Sequence, residues 1–255
     1  MRVPLPPAFL TAPIAHRALH DKTKGRPENS LAAILAASSA GYGIELDLQI
    51  SSDGVAMVFH DEDLDRLTEE TGPVRAKDAL TLMSIGLRHG AEGIPTLAMV
   101  LKLVAGRVPL LLEIKDQHGT LGPTDGQLEA ATAAALAGYD GPVALMSFNP
   151  HSIAEMARLC PGIPRGLTTS AFDPEEWAPV PADRCAALRE IGDFDRVGAS
   201  FISHEAADLD RPRVAEIKAK APVLCWTITS QAAETKARRI ADNVTFEGYM
   251  APIPA

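Results

Sequence analysis

The chain has 255 residues, 46% hydrophobic and 22% charged, with a formal net charge of −9 at pH 7. This composition supports a large core and excludes a disordered chain, and the acidic balance gives no sign of a nucleic-acid or anionic-membrane surface. An anionic substrate would need local positive charge, and the length suits one α/β barrel of about 250 residues or two smaller domains.

The first segment, Met1 to Pro13, contains one arginine, and Pro4, Pro6, Pro7 and Pro13 interrupt its apolar residues. It lacks the apolar core of a signal peptide, and no run reaches transmembrane length, so no stable membrane insertion is expected. Strands are predicted over Ala12–His16, Gly43–Ser51, Val55–Asp61, Pro109–Lys115, Val143–Phe148, Pro164–Thr169, Gly198–Ser203, Val223–Ile228 and Thr245–Met250. Helical patterns cover Glu28–Ala40, Leu97–Ala105, Gln127–Ala137, His151–Leu159, Val214–Lys220 and Gln231–Ala241. Such β-α alternation argues for a parallel α/β fold. The candidate strands exceed an eight-stranded barrel by one. The link Ser52-Asp53-Gly54 is too short for a crossover helix, so the second and third runs form an irregular or hairpin-like unit. Leu64 to Gly93 lacks a clear strand and reads as a small insertion over the barrel mouth. Cys160, Cys185 and Cys225 show no metal-ligand spacing and fit reduced thiols in the cytoplasm.

Charged residues recur late in the apolar runs: His16-Arg17, Glu45-x-Asp47, His60-Asp61 and Glu113-x-Lys115. In the second run Ile44, Leu46, Leu48 and Ile50 alternate with Glu45, Asp47 and Gln49, which puts both carboxylates on one strand face. The leucines before Glu113 read as buried on both sides, where an unpaired charge is costly. In a barrel the loops after the strands build the active site. Carboxylates converging there at about 4 Å would repel by roughly 4 kcal/mol per pair at an effective dielectric of 20. A divalent cation removes that repulsion, and an oxygen-only donor set favours Mg²⁺, Ca²⁺ or Mn²⁺. Arg17 and Lys115 would supply positive charge to a phosphate, the first as a fork and the second as a point charge.

These residues, with Pro27-Glu28-Asn29-Ser30, Asp53-Gly54, Leu64 and Arg66, Ile94-Pro95-Thr96-Leu97, Ser147-Phe148 and Trp226-Thr227, occur in an order that resembles the glycerophosphodiester phosphodiesterase family. The resemblance runs from about Ile14 to Pro252. It implies one TIM (β/α)8 barrel domain over residues 1–255, with residues 64–93 as a short form of the family's insertion after His60-Asp61. It also implies one divalent metal held by Glu45, Asp47 and Glu113, a catalytic pair His16 and His60, and substrate contacts from Arg17, Lys115 and Trp226. Glu28 is either a first-turn helix residue or a partner of the His-Arg pair, and Phe148 is expected to pack rather than touch substrate. His20, His89, His118, His151 and His204 read as ordinary loop or helix residues.

The implied reaction is hydrolysis of a small-molecule phosphodiester to glycerol phosphate and an alcohol, with His16 as base and His60 as acid. Alternatives are a phospholipase D-like or cyclising phosphodiesterase acting on lysophospholipids, and a catalytically silent phosphodiester-binding protein. The sequence departs from the family pattern at Ala18, where Gly is usual, in a longer loop from Leu19 to Arg26, and at Met250-Ala251, where the family carries Thr-Asp before a Pro. Nothing in the sequence sets the oligomeric state.

Overall fold

A computed structural model describes residues 2–254. Eight strands close a parallel barrel: β1 (Ile14–Ala15), β2 (Gly43–Ile50), β4 (Leu110–Ile114), β5 (Val143–Ser147), β6 (Arg165–Thr169), β7 (Phe201–Glu205), β8 (Val223–Ile228) and β9 (Asn243–Phe246). Closure comes from β1, which pairs in parallel with both β2 and β9. The extra strand is β3 (Ala56–Val58), which runs antiparallel to β2 with Leu48 opposite Val58, so the predicted hairpin-like unit is β2 with β3, and β3 lies outside the barrel.

Helices α2 (Leu31–Ala40), α4 (Leu97–Val104), α5 (Gln127–Leu136) and α9 (Gln231–Ala237) follow the predicted patterns with trimmed ends, while α6 (Pro150–Leu159) and α8 (Pro212–Lys218) begin slightly before the predicted starts, each with a proline in its first turn. The first trim matters for the site. α2 begins at Leu31, capped by the Ser30 hydroxyl on the Ala33 N–H, so Glu28 lies before the helix and not in its first turn. Two short helices in the barrel's surroundings escaped the sequence reading, α1 (Ala8–Thr11) and α7 (Ala182–Arg189), because α1 is one turn long and α7 buries only Cys185 and Leu188.

The main core lies between the strands and the outer helices, around residues such as Ile44, Leu46, Leu112, Val100 and Ile153. A second core closes the barrel floor, where Leu5 and Phe9 from the N-terminal segment meet Ile14, Leu111, Phe201 and Leu224 from the strands. Gly166 is required in that layer, since a Cβ there would lie 2.5 Å from the Phe201 ring. The insertion has its own apolar cluster, with Leu64, Leu67, Val74 and Leu82 packed on Met57 and Phe59. It also contains the short helix α3 (Ala79–Ser84), which the sequence pattern missed.

Candidate active site

Parallel pairing of β2 with β4 sets Asp47 opposite Glu113, and strand alternation places Glu45 on the same inward face. One oxygen from each of the three carboxylates lies within 4.8 Å of the others, and all three side chains are buried. Two cations answer this charge. Lys115 Nζ is 2.8 Å from Asp47 Oδ1 and 2.6 Å from Glu113 Oε1, while Arg17 Nε is 3.6 Å from Asp47 Oδ2. Burial opposes ionisation of Asp47, yet Lys115, His60 and Arg17 outweigh it and hold the carboxyl far below its ordinary range. Lys115 is part-buried, which opposes its charge, yet Asp47 and Glu113 together hold its ammonium above the ordinary value. Glu45 goes the other way: burial, then Asp47 and Glu113, push its carboxyl well above its usual value. A carboxyl whose ionised form is disfavoured by burial and by two neighbouring acids, within an all-oxygen donor set, fits a hard divalent cation.

The loop after β1 adopts left-handed backbone at Arg17 (φ 50°) and Ala18 (φ 66°). Glycine is free of Cβ strain there, which gives a physical reason for the family's preference at the Ala18 position. This conformation aims the Arg17 N–H at Glu45 Oε2, 2.9 Å away. Asn29, also left-handed, donates from Nδ2 to Asp47 Oδ2 at 2.9 Å. The sequence reading used Asn29 only as a motif letter and missed this contact.

His16 and His60 each face the same inner cavity. His16 Nδ1 is 2.6 Å from Glu247 Oε2, and His60 Nδ1 is 2.6 Å from Asp61 Oδ1. Both carboxyls are held below their ordinary range: Glu247 by hydrogen bonds from His16 and His20, and Asp61, against its burial, by His60 and Arg66. With Nδ1 engaged, Nε2 is the remaining ring nitrogen on each histidine. His20, expected to be an ordinary loop residue, sits with Nε2 3.5 Å from Glu247.

Residues 16–245 match the family model described as the glycerophosphoryl diester phosphodiesterase family. The chain belongs to this family. A glycerophosphodiester phosphodiesterase from Caldanaerobacter subterraneus subsp. tengcongensis is 31% identical over 174 residues, covering 66% of this chain and 70% of that one. Among solved structures, a phosphodiesterase from Oleispira antarctica, determined with its product sn-glycerol-3-phosphate, is 25% identical with a TM-score of 0.75, covering 94% of each chain. The glycerophosphodiester phosphodiesterase of Thermotoga maritima shares the fold, with a TM-score of 0.69 over 92% of this chain and 21% identity. The chain is thus an enzyme of the phosphoric diester hydrolase class.

In this phosphodiesterase Glu28 joins the two halves of the site. Its carboxylate accepts from Arg17 Nη1 at 2.8 Å and from Arg66 Nη1 and Nη2 at 2.9 and 2.8 Å, and Arg66 also binds Asp61. Arg66 belongs to the insertion, so the insertion's position is tied to the His60 side of the mouth. Burial raises the Glu28 carboxyl, but Arg66 and Arg17 overcome it and leave it below its ordinary value of 4.5. That stabilisation is fully present above pH 4.5 and disappears as pH falls through the depressed folded value. Glu28→Gln is therefore expected to cost about 3 kcal/mol at neutral pH, the scale for breaking a buried pair. In melting curves from pH 7 down to 3, the gap between parent and variant should narrow on acidification; a constant gap would refute the linkage.

Trp226 lines the inner cavity and donates from Nε1 to the Ser203 carbonyl at 2.9 Å. Phe148 packs edge-on against Trp226 with centroids 5.5 Å apart, and it also lines the inner cavity. The cavity holds about 100 Å³ and opens beside a chamber of about 470 Å³ that shares His60, Glu113, Lys115 and Phe148 with it.

Glu247 was missed because the last strand was placed at Thr245–Met250. The strand ends at Phe246, and Glu247 is the charged residue at its end, repeating the pattern of the other strands. Glu247, which contacts His16, lies three residues before Met250, where the sequence departs from the family's Thr-Asp.

Proposed function

We propose that the protein hydrolyses glycerophosphodiesters to glycerol phosphate and an alcohol by a metal-dependent reaction with two histidines. The observation that carries this reading is the shared cavity: His16 and His60, each backed by a carboxylate, face the Glu45–Asp47–Glu113 cluster across one small space. The product bound by the Oleispira antarctica relative supports glycerol phosphate as one product.

Glu45, Asp47 and Glu113 would hold the divalent cation, Mg²⁺, Ca²⁺ or Mn²⁺, which when bound polarises the phosphoryl oxygens as a Lewis acid. Arg17 and Lys115 add positive charge for the phosphate and for the charge that grows on its oxygens. His16 Nε2 takes the proton of the attacking oxygen, and Glu247 holds the ring and favours the imidazolium that results. His60 Nε2 gives a proton to the departing alkoxide. Position supports this order: His60 lines both the inner cavity and the outer chamber, whereas His16 lines the inner one. The alcohol therefore departs through the outer chamber, past Phe148 and Trp177.

No described helix is long and apolar enough to cross a membrane. The free cysteines, two of them buried, suit a reducing compartment, and the cytoplasm is the proposed location. Residues 1–255, with the insertion at 64–93, are proposed to work as one barrel domain.

Turnover of glycerophosphocholine, glycerophosphoethanolamine and a lysophospholipid with added metal tests the reading. Release of glycerol phosphate from the first two is expected. Cleavage of the lysophospholipid alone would replace the reading with a phospholipase D-like one, and no turnover of any diester would leave a binding protein.

A further inference from the structure

Three hydroxyls inside the barrel have no hydrogen-bond partner among the described residues: Thr168 Oγ1 on β6, Ser203 Oγ on β7 and Thr245 Oγ1 on β9. Their side chains are 2%, 0% and 1% exposed, and all three residues line the inner cavity. Most buried polar groups in folded proteins are paired, and leaving one unpaired is destabilising. These three are not scattered. Thr168 and Ser203 are register partners on adjacent strands, and Thr245 lies two strands beyond Ser203 on the same barrel wall.

The cavity thus has two chemically different sides. β1, β2 and β4 bring the carboxylates, Arg17 and Lys115, while β6, β7 and β9 bring neutral hydroxyls over the apolar floor. A phosphate belongs with the cations. A hydroxyl both donates and accepts, so a hydroxyl-lined wall suits a polyol, whose groups do the same.

We infer that Thr168, Ser203 and Thr245 are the residues that hold the free hydroxyls of the glycerol moiety and discriminate glycerol phosphate from a phosphate ester lacking those hydroxyls. The inference rests on the hydrolase reading above and names the specificity-determining residues of that site. The glycerol lies inward against β6, β7 and β9, the phosphate spans the charged side, and the alcohol points outward past His60. A cavity of about 100 Å³ accommodates a small polyol.

The test compares Thr168→Val, Ser203→Ala and Thr245→Val with the parent, in Mg²⁺, by titration calorimetry with sn-glycerol-3-phosphate and with n-propyl phosphate. The parent should bind glycerol phosphate at least about tenfold more tightly than propyl phosphate, and each variant should lower that ratio by about three- to tenfold, the range for one hydrogen bond. Melting temperatures should stay level or rise, because the variants remove unpaired buried hydroxyls without breaking a contact in the free protein. That combination separates a binding role from a structural one. Equal affinity of the parent for the two phosphates would overturn the inference, as would variants that weaken both ligands alike or that lower the melting temperature. Selective binding of glycerol phosphate without turnover of any diester would remove the hydrolase reading and leave the glycerol subsite standing.

Discussion

His16→Ala and His60→Ala are each expected to cut turnover by roughly a hundredfold to ten-thousandfold, the usual scale for losing general acid-base catalysis. Both rings line the inner cavity rather than the packed core, so the melting temperature should change little. The two losses should differ in kind. A diester whose alcohol is a good leaving group needs little protonation, so it should rescue the His60 variant and leave the His16 variant impaired. Glu247→Gln should lower kcat by a smaller factor, because the amide still contacts Nδ1 but no longer stabilises the imidazolium charge. Near-normal turnover in either alanine variant, or its failure to fold, would mean that the histidine is structural. Rescue of the His16 variant instead of the His60 variant would reverse their assigned roles.

Chelation is expected to abolish turnover and to lower the melting temperature modestly, with Mg²⁺, Ca²⁺ or Mn²⁺ restoring both. The physical basis is the imbalance of buried charge. Asp47 is shared by Lys115 and Arg17, Glu113 is paired with Lys115, and among the described residues Glu45 has only the Arg17 N–H as a hydrogen-bond donor. Its carboxyl, raised by burial and by the two neighbouring acids, is the group that a cation most favours in ionised form. Metal titration should therefore release protons, measurable as buffer-dependent heat. Glu45→Gln, Asp47→Asn and Glu113→Gln should each weaken metal binding, since an amide is a poorer ligand for a hard dication. Full activity in a metal-free preparation would exclude this account.

The carboxylate cluster was legible because strand periodicity is two: Glu45 and Asp47 must share a face, and the apolar residues before Glu113 mark a buried strand whose next-but-one charge, Lys115, emerges at its end. The same logic would have found Glu247. It failed there because Tyr249 and Met250 extend the apolar run past Gly248. In the structure Tyr249 turns to hydrogen-bond Glu234 and Met250 is exposed, so neither continues the strand. Arg66 was visible as a motif letter, but its link from Asp61 to Glu28 depends on how the insertion packs.

The sequence by itself determined the strand faces, the start of α4 at Leu97, and the residue types that line the barrel mouth, all of which follow from local periodicity. Tertiary structure alone decided which strand lies outside the barrel, which carboxylate backs each histidine, and that three unremarkable hydroxyls face one cavity. Those facts depend on the closure of β1 onto β9 and on register between strands distant in sequence. A serine or threonine in a strand carries no local sign of whether its hydroxyl will meet a partner, because the partner comes from another part of the chain.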